Sequence, residues 1–476
     1  MTTLDATREL APASDPGPRS RRAPVWLAVL AASLPMFMAT LDNLVMTSAL
    51  PVIKADLGSS VGELSWFMNA YTLAFATFML PAATLGDRLG RRRVMLVGLA
   101  VFTLGSIGSA LSTTSEALIV ARAVQGVGAA AIMPLSLTLL AAAVPPARRA
   151  AAIGIWGGVS GLGVALGPVI GGAVVEGVSW EAIFWLNVPV ALVAAPLLLA
   201  AIPESRGAWQ RLDLVGVLLL GGAVFLGVWG IVHGNDDGWG DPRVLVPLAL
   251  ATLLVPAYVV WARGRSYAVL PLRLFSSRSF SVANVIALFF TLGMFGTVFL
   301  LAQYLQIVQG YSPLDAGLRT LPWTAAPMVV APIAGALAPK VGLRPLLALG
   351  LALQTASLVW FAWLTESDSA YSAFVPALLL AGVGMGLTFA PMATAVLDGL
   401  PEGDFAVASS ANSTVREFGV ALGIALLTAV FLGYGGALDP RGYDGAIGPA
   451  LITGAAAVAI AFVASLFAPG RASRAG

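Results

Sequence analysis

Fourteen apolar runs in series leave this chain few folds that avoid a bilayer. Their approximate limits are 25–50, 64–85, 93–111, 117–144, 150–175, 182–202, 212–233, 243–262, 280–308, 316–338, 343–364, 372–397, 405–432 and 446–468. Each is close to or above the roughly 20 residues that a helix needs to cross a hydrocarbon core. In lipid every backbone N–H and C=O must find a partner inside the protein, so such a series reads as a bundle of helices. The expected class is an all-α membrane protein. Composition agrees: 58% of residues are hydrophobic and 11% charged, against about 25% charged in soluble domains.

The few charges carry most of the remaining information. A net charge of +2 is too small to suggest nucleic acid. There is no cysteine, which excludes disulfides and thiolate sites, and His233 is the only histidine. Neither a metal nor a cofactor is expected. Lysine occurs only at Lys54 and Lys340 in a chain rich in Arg, Ala and Gly, as in proteins of GC-rich bacteria. With the N-terminus inside, 20 basic residues fall in cytoplasmic segments and 4 outside (Lys54, Arg243, Arg319 and Arg441). The positive-inside rule then predicts cytoplasmic termini on a multi-pass protein of the bacterial plasma membrane. Residues 1–23 read as a disordered cytoplasmic tail and 469–476 as a second one.

Two charges lie deep in apolar runs. Asp42 is the only charged residue of the first run, where an ionised carboxylate costs roughly 2.5–3.5 kcal/mol on insertion scales. Arg122 lies in the fourth. Asp42 is nine residues below Pro51, and Arg122 about five residues into its segment. At 1.5 Å per residue the two depths agree within ~6 Å. A nearby arginine favours an ionised carboxylate and burial favours a neutral one, so a group held between them changes protonation when its surroundings move. A static buried ion pair is the simpler use of the same residues.

The chain also repeats. Ala83-x-Leu85-x-x-Arg88-x-Gly90-x-Arg92 recurs as Gly335-x-Leu337-x-x-Lys340-x-Gly342-x-Arg344, each matched position 252 residues further on. Two related six-helix halves explain this, as in transporters built from parallel repeats; chance similarity between two short basic loops is the alternative. The expected division is a bundle over 24–202, two extra helices with linkers over 203–265, and a bundle over 266–468.

Four stretches together resemble the major facilitator superfamily, and within it the fourteen-spanner drug:proton antiporters (EmrB/QacA-like). They are Leu41-Asp42 with Ala49-Leu50-Pro51, Leu85-Gly86-Asp87-Arg88-Leu89-Gly90-Arg91-Arg92-Arg93, Arg122-Ala123-Val124-Gln125-Gly126, and Gly163 to Gly172 around Pro168. Phe184-Trp185-Leu186-Asn187-Val188-Pro189 and Gln306-Ile307-Val308-Gln309-Gly310-Tyr311-Ser312-Pro313 match as well, and the likeness runs from about Pro24 to Phe467. The chain departs from the family pattern at Leu44, Thr47, Ala83 and Glu181. The resemblance implies a major facilitator fold, with two six-helix bundles plus two central helices.

Roles follow from residues and resemblance together. Asp42, Arg122 and Glu417 are candidates for proton coupling; Asp42 would bind the proton or a cationic substrate, and Glu417 is a second proton or substrate carboxylate or a packing partner. Asp87, Arg88, Gly90 and Arg91 are expected to form a gating latch that ties neighbouring helix ends together, with Arg92 and Arg93 as interfacial anchors. Gly163, Gly167, Pro168, Gly171 and Gly172 make up the antiporter motif, read as a tight, bendable seam between the halves. Asn69, Tyr71, Gln125, Gln303, Tyr304, Gln306 and Arg416 are candidates to line the cavity. Arg416 and Glu417 are helical neighbours pointing about 100° apart, and are not expected to pair.

The implied function is proton-coupled efflux of hydrophobic or amphiphilic drugs, by a chain that works as a monomer. Its partners are the small-molecule substrate, protons and the lipid bilayer. No phosphate-binding loop is present, so an ion gradient is the expected energy source. An exporter of one natural product and a non-transporting membrane sensor are the alternatives. No nucleophile–base pair suggests an enzyme.

Overall fold

The computed structural model describes residues 24–469 apart from 208–210, 366–368, 402–403 and 444. The expected tail 1–23, and the tail 469–476 beyond its first residue, lie outside the described residues. The first half contains α1 (Val25–Leu57), α2 (Val61–Leu89), α3 (Arg91–Ala110), α4 (Ser115–Ala143), α5 (Pro146–Gly177), the short α6 (Ala182–Trp185) and α7 (Asn187–Ala201). A hairpin of α8 (Leu214–His233) and α9 (Pro242–Ala262) follows. The second half contains α10 (Arg278–Ile307), α11 (Pro313–Val341), α12 (Leu343–Leu364), α13 (Tyr371–Leu397), α14 (Phe405–Gly433), the short α15 (Pro440–Tyr443) and α16 (Ile447–Ser465).

Thirteen spans among the described residues are long and apolar enough to cross a membrane, α6 and α7 counting as one. The fourteenth expected segment is α2. Its 29 residues suffice in length, but Ser65, Asn69, Tyr71 and Thr72 lower its hydropathy. All four are buried in protein rather than turned to lipid. Two boundaries differ from expectation. α1 runs on through Pro51 to Leu57, and the sixth segment breaks at Leu186 into α6 and α7.

Within the first half α4 packs on α2 and α3, and α1 on α5; within the second, α10 packs on α14 and α16, and α13 on α11 and α12. Two seams join the halves, α5 with α11 and α2 with α14, and α8 lies against α2 and α14 with α9 outside it. Trp66 of α2 meets Phe225 and Trp229 of α8 at 5.8 Å between ring centroids, which pins the hairpin to the bundle.

The repeat is carried into the backbone. α2 spans 61–89 and α11 spans 313–341, the same offset of 252. Gly90 and Gly342 each join two helices at a positive φ, 117° and 95°, which an L side chain rarely adopts.

The two seams close only one end of the bundle. At the end remote from Pro24 and Pro469, a Cβ on Gly172 would stand 2.2 Å from the Pro313 carbonyl oxygen, and one on Gly317 would stand 2.3 Å from that of Pro168. Gln306 Nε2 donates to the Ser48 carbonyl (3.1 Å) and the Leu314 N–H to Glu176 (3.2 Å), tying the halves there. Toward the other end, Gly154, Gly157, Gly158 and Gly161 of α5 face open space.

Candidate functional site

A cavity of about 650 Å³ lies between the halves and opens toward the end that carries both termini. Phe75, Met133, Phe295, Met328, Met385 and Phe389 supply its apolar wall. Thr40, Asn43, Tyr71, Ser160, Thr324, Arg416 and Glu417 supply polar points. A small extension of about 40 Å³ continues past Leu44 and Phe295 to Gln306.

Immediately behind Tyr71, the sequence-predicted pair is present. Arg122 Nη1 reaches Asp42 Oδ2 at 2.6 Å, and both residues are buried, 0% and 5% exposed. The agreement in depth follows from the helices: α1 rises and α4 descends past the same level. Asp42 Oδ1 also accepts from Gln125 Nε2 (2.8 Å) and Asn187 Nδ2 (2.7 Å). Arg122 donates through Nε to the Phe67 carbonyl (3.1 Å) and through Nη1 to Gln125 Oε1 (2.6 Å). Its guanidinium lies 4.4 Å from the Tyr71 ring centroid. Such burial is tolerable only where a pair is well hydrogen-bonded, and here four helices supply the partners. Asn187 lies in one of the stretches that carry the family resemblance, which implies no role for it. Its signal was there, a lone amide opening an apolar helix. Ser106, which accepts from Asn187 at 2.9 Å, gave none.

Glu417 and Arg416 both line the cavity. They form an ion pair at 3.7 Å, contrary to the expectation for adjacent helical residues. Both side chains are drawn to the same polar opening, and the long arginine bends round the helix to reach it.

The cavity candidates divide. Tyr71 and Arg416 line the main cavity and Gln306 the extension. Gln125 belongs to the Asp42 cluster. Asn69, Gln303 and Tyr304 are buried in helix packing away from the cavity. Gln303 Nε2 returns to the Phe299 carbonyl of its own helix (2.9 Å), and Tyr304 packs with Phe374 and Tyr443. The polar lining that sequence reasoning missed, Thr40, Asn43, Ser160 and Thr324, consists of single small residues in apolar helices.

The glycine seam differs from the expected one between the halves. Gly163, Gly167 and Gly171 face α1 within their own half: a Cβ at Gly167 would stand 2.6 Å from Leu44 Cβ, and one at Gly171 2.7 Å from the Val45 carbonyl oxygen. Residues four apart share one face, and that face meets α1. Gly172, turned by about 100°, and the Pro168 carbonyl meet α11 instead.

In the α2–α3 loop, Asp87 Oδ1 pairs with Arg91 Nε at 2.7 Å. The Gly207 N–H donates to the Asp87 carbonyl and the Arg91 N–H to the Ser205 carbonyl, so the loop is fastened to the segment after α7. Glu204 caps α3 by accepting from the Arg92 and Arg93 N–H groups (3.0 and 3.2 Å), where an anion is favoured by the helix dipole. Arg92 is more than an interfacial anchor, because its Nη1 donates to the Ile202 carbonyl at 2.9 Å. Arg88 adjoins this cluster in sequence.

The model of the Major Facilitator Superfamily matches residues 32–424. The chain is 34% identical, over 84% of its length and 75% of the other, to the tetracenomycin C resistance and export protein of Streptomyces glaucescens. It is 36% identical to the cephamycin export protein of Amycolatopsis lactamdurans, over 88% of this chain and 87% of that one. A multidrug resistance protein of Mycobacterium tuberculosis is 35% identical over 85% of this chain and 75% of its own. Among solved structures, the nucleoside transporter NupG superposes with a TM-score of 0.65 at 11% identity, covering 92% of this chain and 99% of that one. The human organic anion transporter MFSD10 gives 0.61 at 16%, covering 93% and 100%.

Proposed function

The chain belongs to the major facilitator superfamily, and we propose that within it this protein is a proton-coupled exporter of hydrophobic or amphiphilic small molecules. It is a transporter and not an enzyme. The observation that carries the reading is the buried Asp42–Arg122 pair, set behind the wall of a cavity that one chain forms by itself. The 20-to-4 division of basic residues supports cytoplasmic termini, and in that orientation the present conformer is inward-open.

In this reading Asp42 takes a proton from outside when the cavity faces outward and gives it up inside. Protonation removes the charge that Arg122 balances, so α1 and α4 lose their strongest tie. α1 carries the glycine seam with α5, and α5 carries the far-end contact with α11. A change at Asp42 thus has a short physical route to the contact that must open for release. One charge crossing 100 mV is worth about 2.3 kcal/mol, enough to bias such a rocking equilibrium. Glu417 is the second carboxylate at the cavity, and the Asp87 loop is proposed to hold the cytoplasmic ends of α2, α3 and α7 as one unit.

Narrow export of one natural product is the second reading, favoured by relatives named for tetracenomycin C and cephamycin. Proton-driven uptake of a fluorescent amphiphile into inverted vesicles tests the main proposal. Uptake should follow an imposed pH gradient and collapse with an uncoupler; binding without any uptake would establish a sensor instead. Orientation is checked in the same cysteine-free background. Cysteines placed at Ser14 and Ser473 should resist impermeant thiol reagents in intact cells, while one at Asp237 should react.

A further inference from the structure

Among the described residues the cavity is lined by one cation and one acid, Arg416 and Glu417, and they are not equally available. Arg416 has 24% of its side chain exposed, Glu417 10%. The guanidinium carries five N–H donors. Among the described residues its one charged contact is Glu417, at 3.7 Å, too long for a strong hydrogen bond. Its Cζ lies 5.8 Å from the Phe389 ring centroid, so the charge sits at the edge of an aromatic wall. Asp42 offers an entering ligand nothing, because its oxygens are taken by Arg122, Gln125 and Asn187. A ligand therefore meets donors before it meets an acid.

We propose that the substrate is an amphiphilic organic anion: a flat apolar body bearing a carboxylate or ionised phenol, with Arg416 as its counter-ion. This rests on the export reading and names its substrate class. The fork of a guanidinium matches a carboxylate with two parallel hydrogen bonds. The aromatic and methionine wall takes the apolar body without demanding one shape. A volume of about 650 Å³ is that of a drug-sized site. By sequence position, basic residues lie mainly on the side toward which the cavity opens, a distribution that steers anions inward. Glu417 has a definite part: it repels the bound anion and holds Arg416 when the cavity is empty. Exchange of one such anion outward for one proton inward moves two charges down an inside-negative potential, so export would be strongly electrogenic.

Two probes with one fluorophore and opposite charge test this, pyrenebutyrate and pyrenebutylammonium. Their binding to purified protein in zwitterionic nanodiscs is measured without a gradient, against empty nanodiscs. Pyrenebutyrate should bind at least about tenfold tighter. Arg416→Gln should erase most of that preference, Arg416→Lys should retain part of it, and Glu417→Gln should tighten pyrenebutyrate. A cation site predicts the reverse: tighter pyrenebutylammonium, weakened by Glu417→Gln. That result, or binding of neither probe, overturns the proposal. Should Arg416→Gln not fold, the opposite signs expected for Glu417→Gln still decide it. Binding of the anion with no flux in vesicles would sink the export reading and leave the anion site standing.

Discussion

The two halves share a frame and differ in what they put inside it. Gly90 and Gly342 make the same turn. Gly167 and Gly171 press α5 on α1, and 252 residues later Gly419 and Gly423 press α14 on α10. At the same offset Asp42 is replaced by Met294, Arg122 by Phe374 and Gln125 by Ala377, all three buried. Where the first half holds an ion pair, the second holds a packed aromatic group: Phe374 stacks near Tyr304 and Phe361. Its own charges, Arg416 and Glu417, face the cavity at positions where α5 has Val164 and Ala165. The loops and close approaches that set helix geometry are alike in the two halves. Charge makes the halves unequal: one buries a titratable pair, and the other presents a pair to the ligand.

The sharpest way to break this comparison is to disable the matched positions in turn. Asp42→Asn should reduce proton-driven uptake to the level of an uncoupler control, because an amide cannot release a proton. Phe374→Leu, a large-to-small apolar change that costs some stability but removes no titratable group, should leave uptake largely intact. Arg122→Ala should destabilise the protein by about 3–5 kcal/mol by leaving the Asp42 charge unpaired. Asp42→Asn with Arg122→Gln should restore thermal stability without restoring coupling. Coupled uptake by Asp42→Asn at normal expression would move the proton site elsewhere, with Glu417 next in line.

Helix number and the Asp42–Arg122 pairing were legible in the sequence, since both depend on depth along an axis, which residue counting gives. The direction in which a side chain points around that axis was not. Gly163, Gly167 and Gly171 were correctly placed on one face, yet nothing local says that this face meets α1 rather than the other half. Gln303 and Tyr304 failed as cavity residues for the same reason. Glu204 was invisible because its partners, the Arg92 and Arg93 amides, lie more than a hundred residues earlier in the chain. Arg416 and Glu417 were separated on helical geometry alone, which takes no account of a cavity both can reach.

Matched glycines sharpen the comparison next, with smaller effects. At Gly171 an added Cβ would stand 2.7 Å from the Val45 carbonyl oxygen, while at Gly423 it would stand 2.1 Å from the Leu292 carbonyl oxygen. The closer approach demands the larger backbone shift. Gly423→Ala should therefore lower thermal stability more than Gly171→Ala, within the range of about 1–3 kcal/mol seen for overpacking. Equal losses would mean that α1 is as rigidly held as α10. Smaller again is Glu204→Gln, which weakens the α3 cap by about 0.3–1 kcal/mol. Its expected sign is faster hydrogen exchange at the Arg92 and Arg93 amides, with α12 unchanged.

The smallest expected effect concerns an ion pair confined to the second half. Arg273, in the 3₁₀ turn Leu272–Ser276, grips Asp404 through two hydrogen bonds of 2.5 and 2.6 Å, just before α14. The position 252 residues before Asp404 is Ala152, without charge. Hydrogen bonding to the Arg273 guanidinium holds the Asp404 carboxyl below the usual carboxylate range. A carboxylate whose folded value is depressed contributes full stability above its unfolded value of about 3.9, and loses it as pH falls through the folded value. Half of the Arg273 side chain is exposed, so solvent screening limits the pair to at most about 0.5 kcal/mol. Asp404→Asn should lower the unfolding temperature slightly at pH 7, and the gap from wild type should narrow as pH falls below the unfolded value of about 3.9 or in about 1 M salt. A gap that persists in acid would show that Asp404 acts otherwise than through its charged contact with Arg273. The second half would then owe this joint to something other than charge, as both halves do at Gly90 and Gly342.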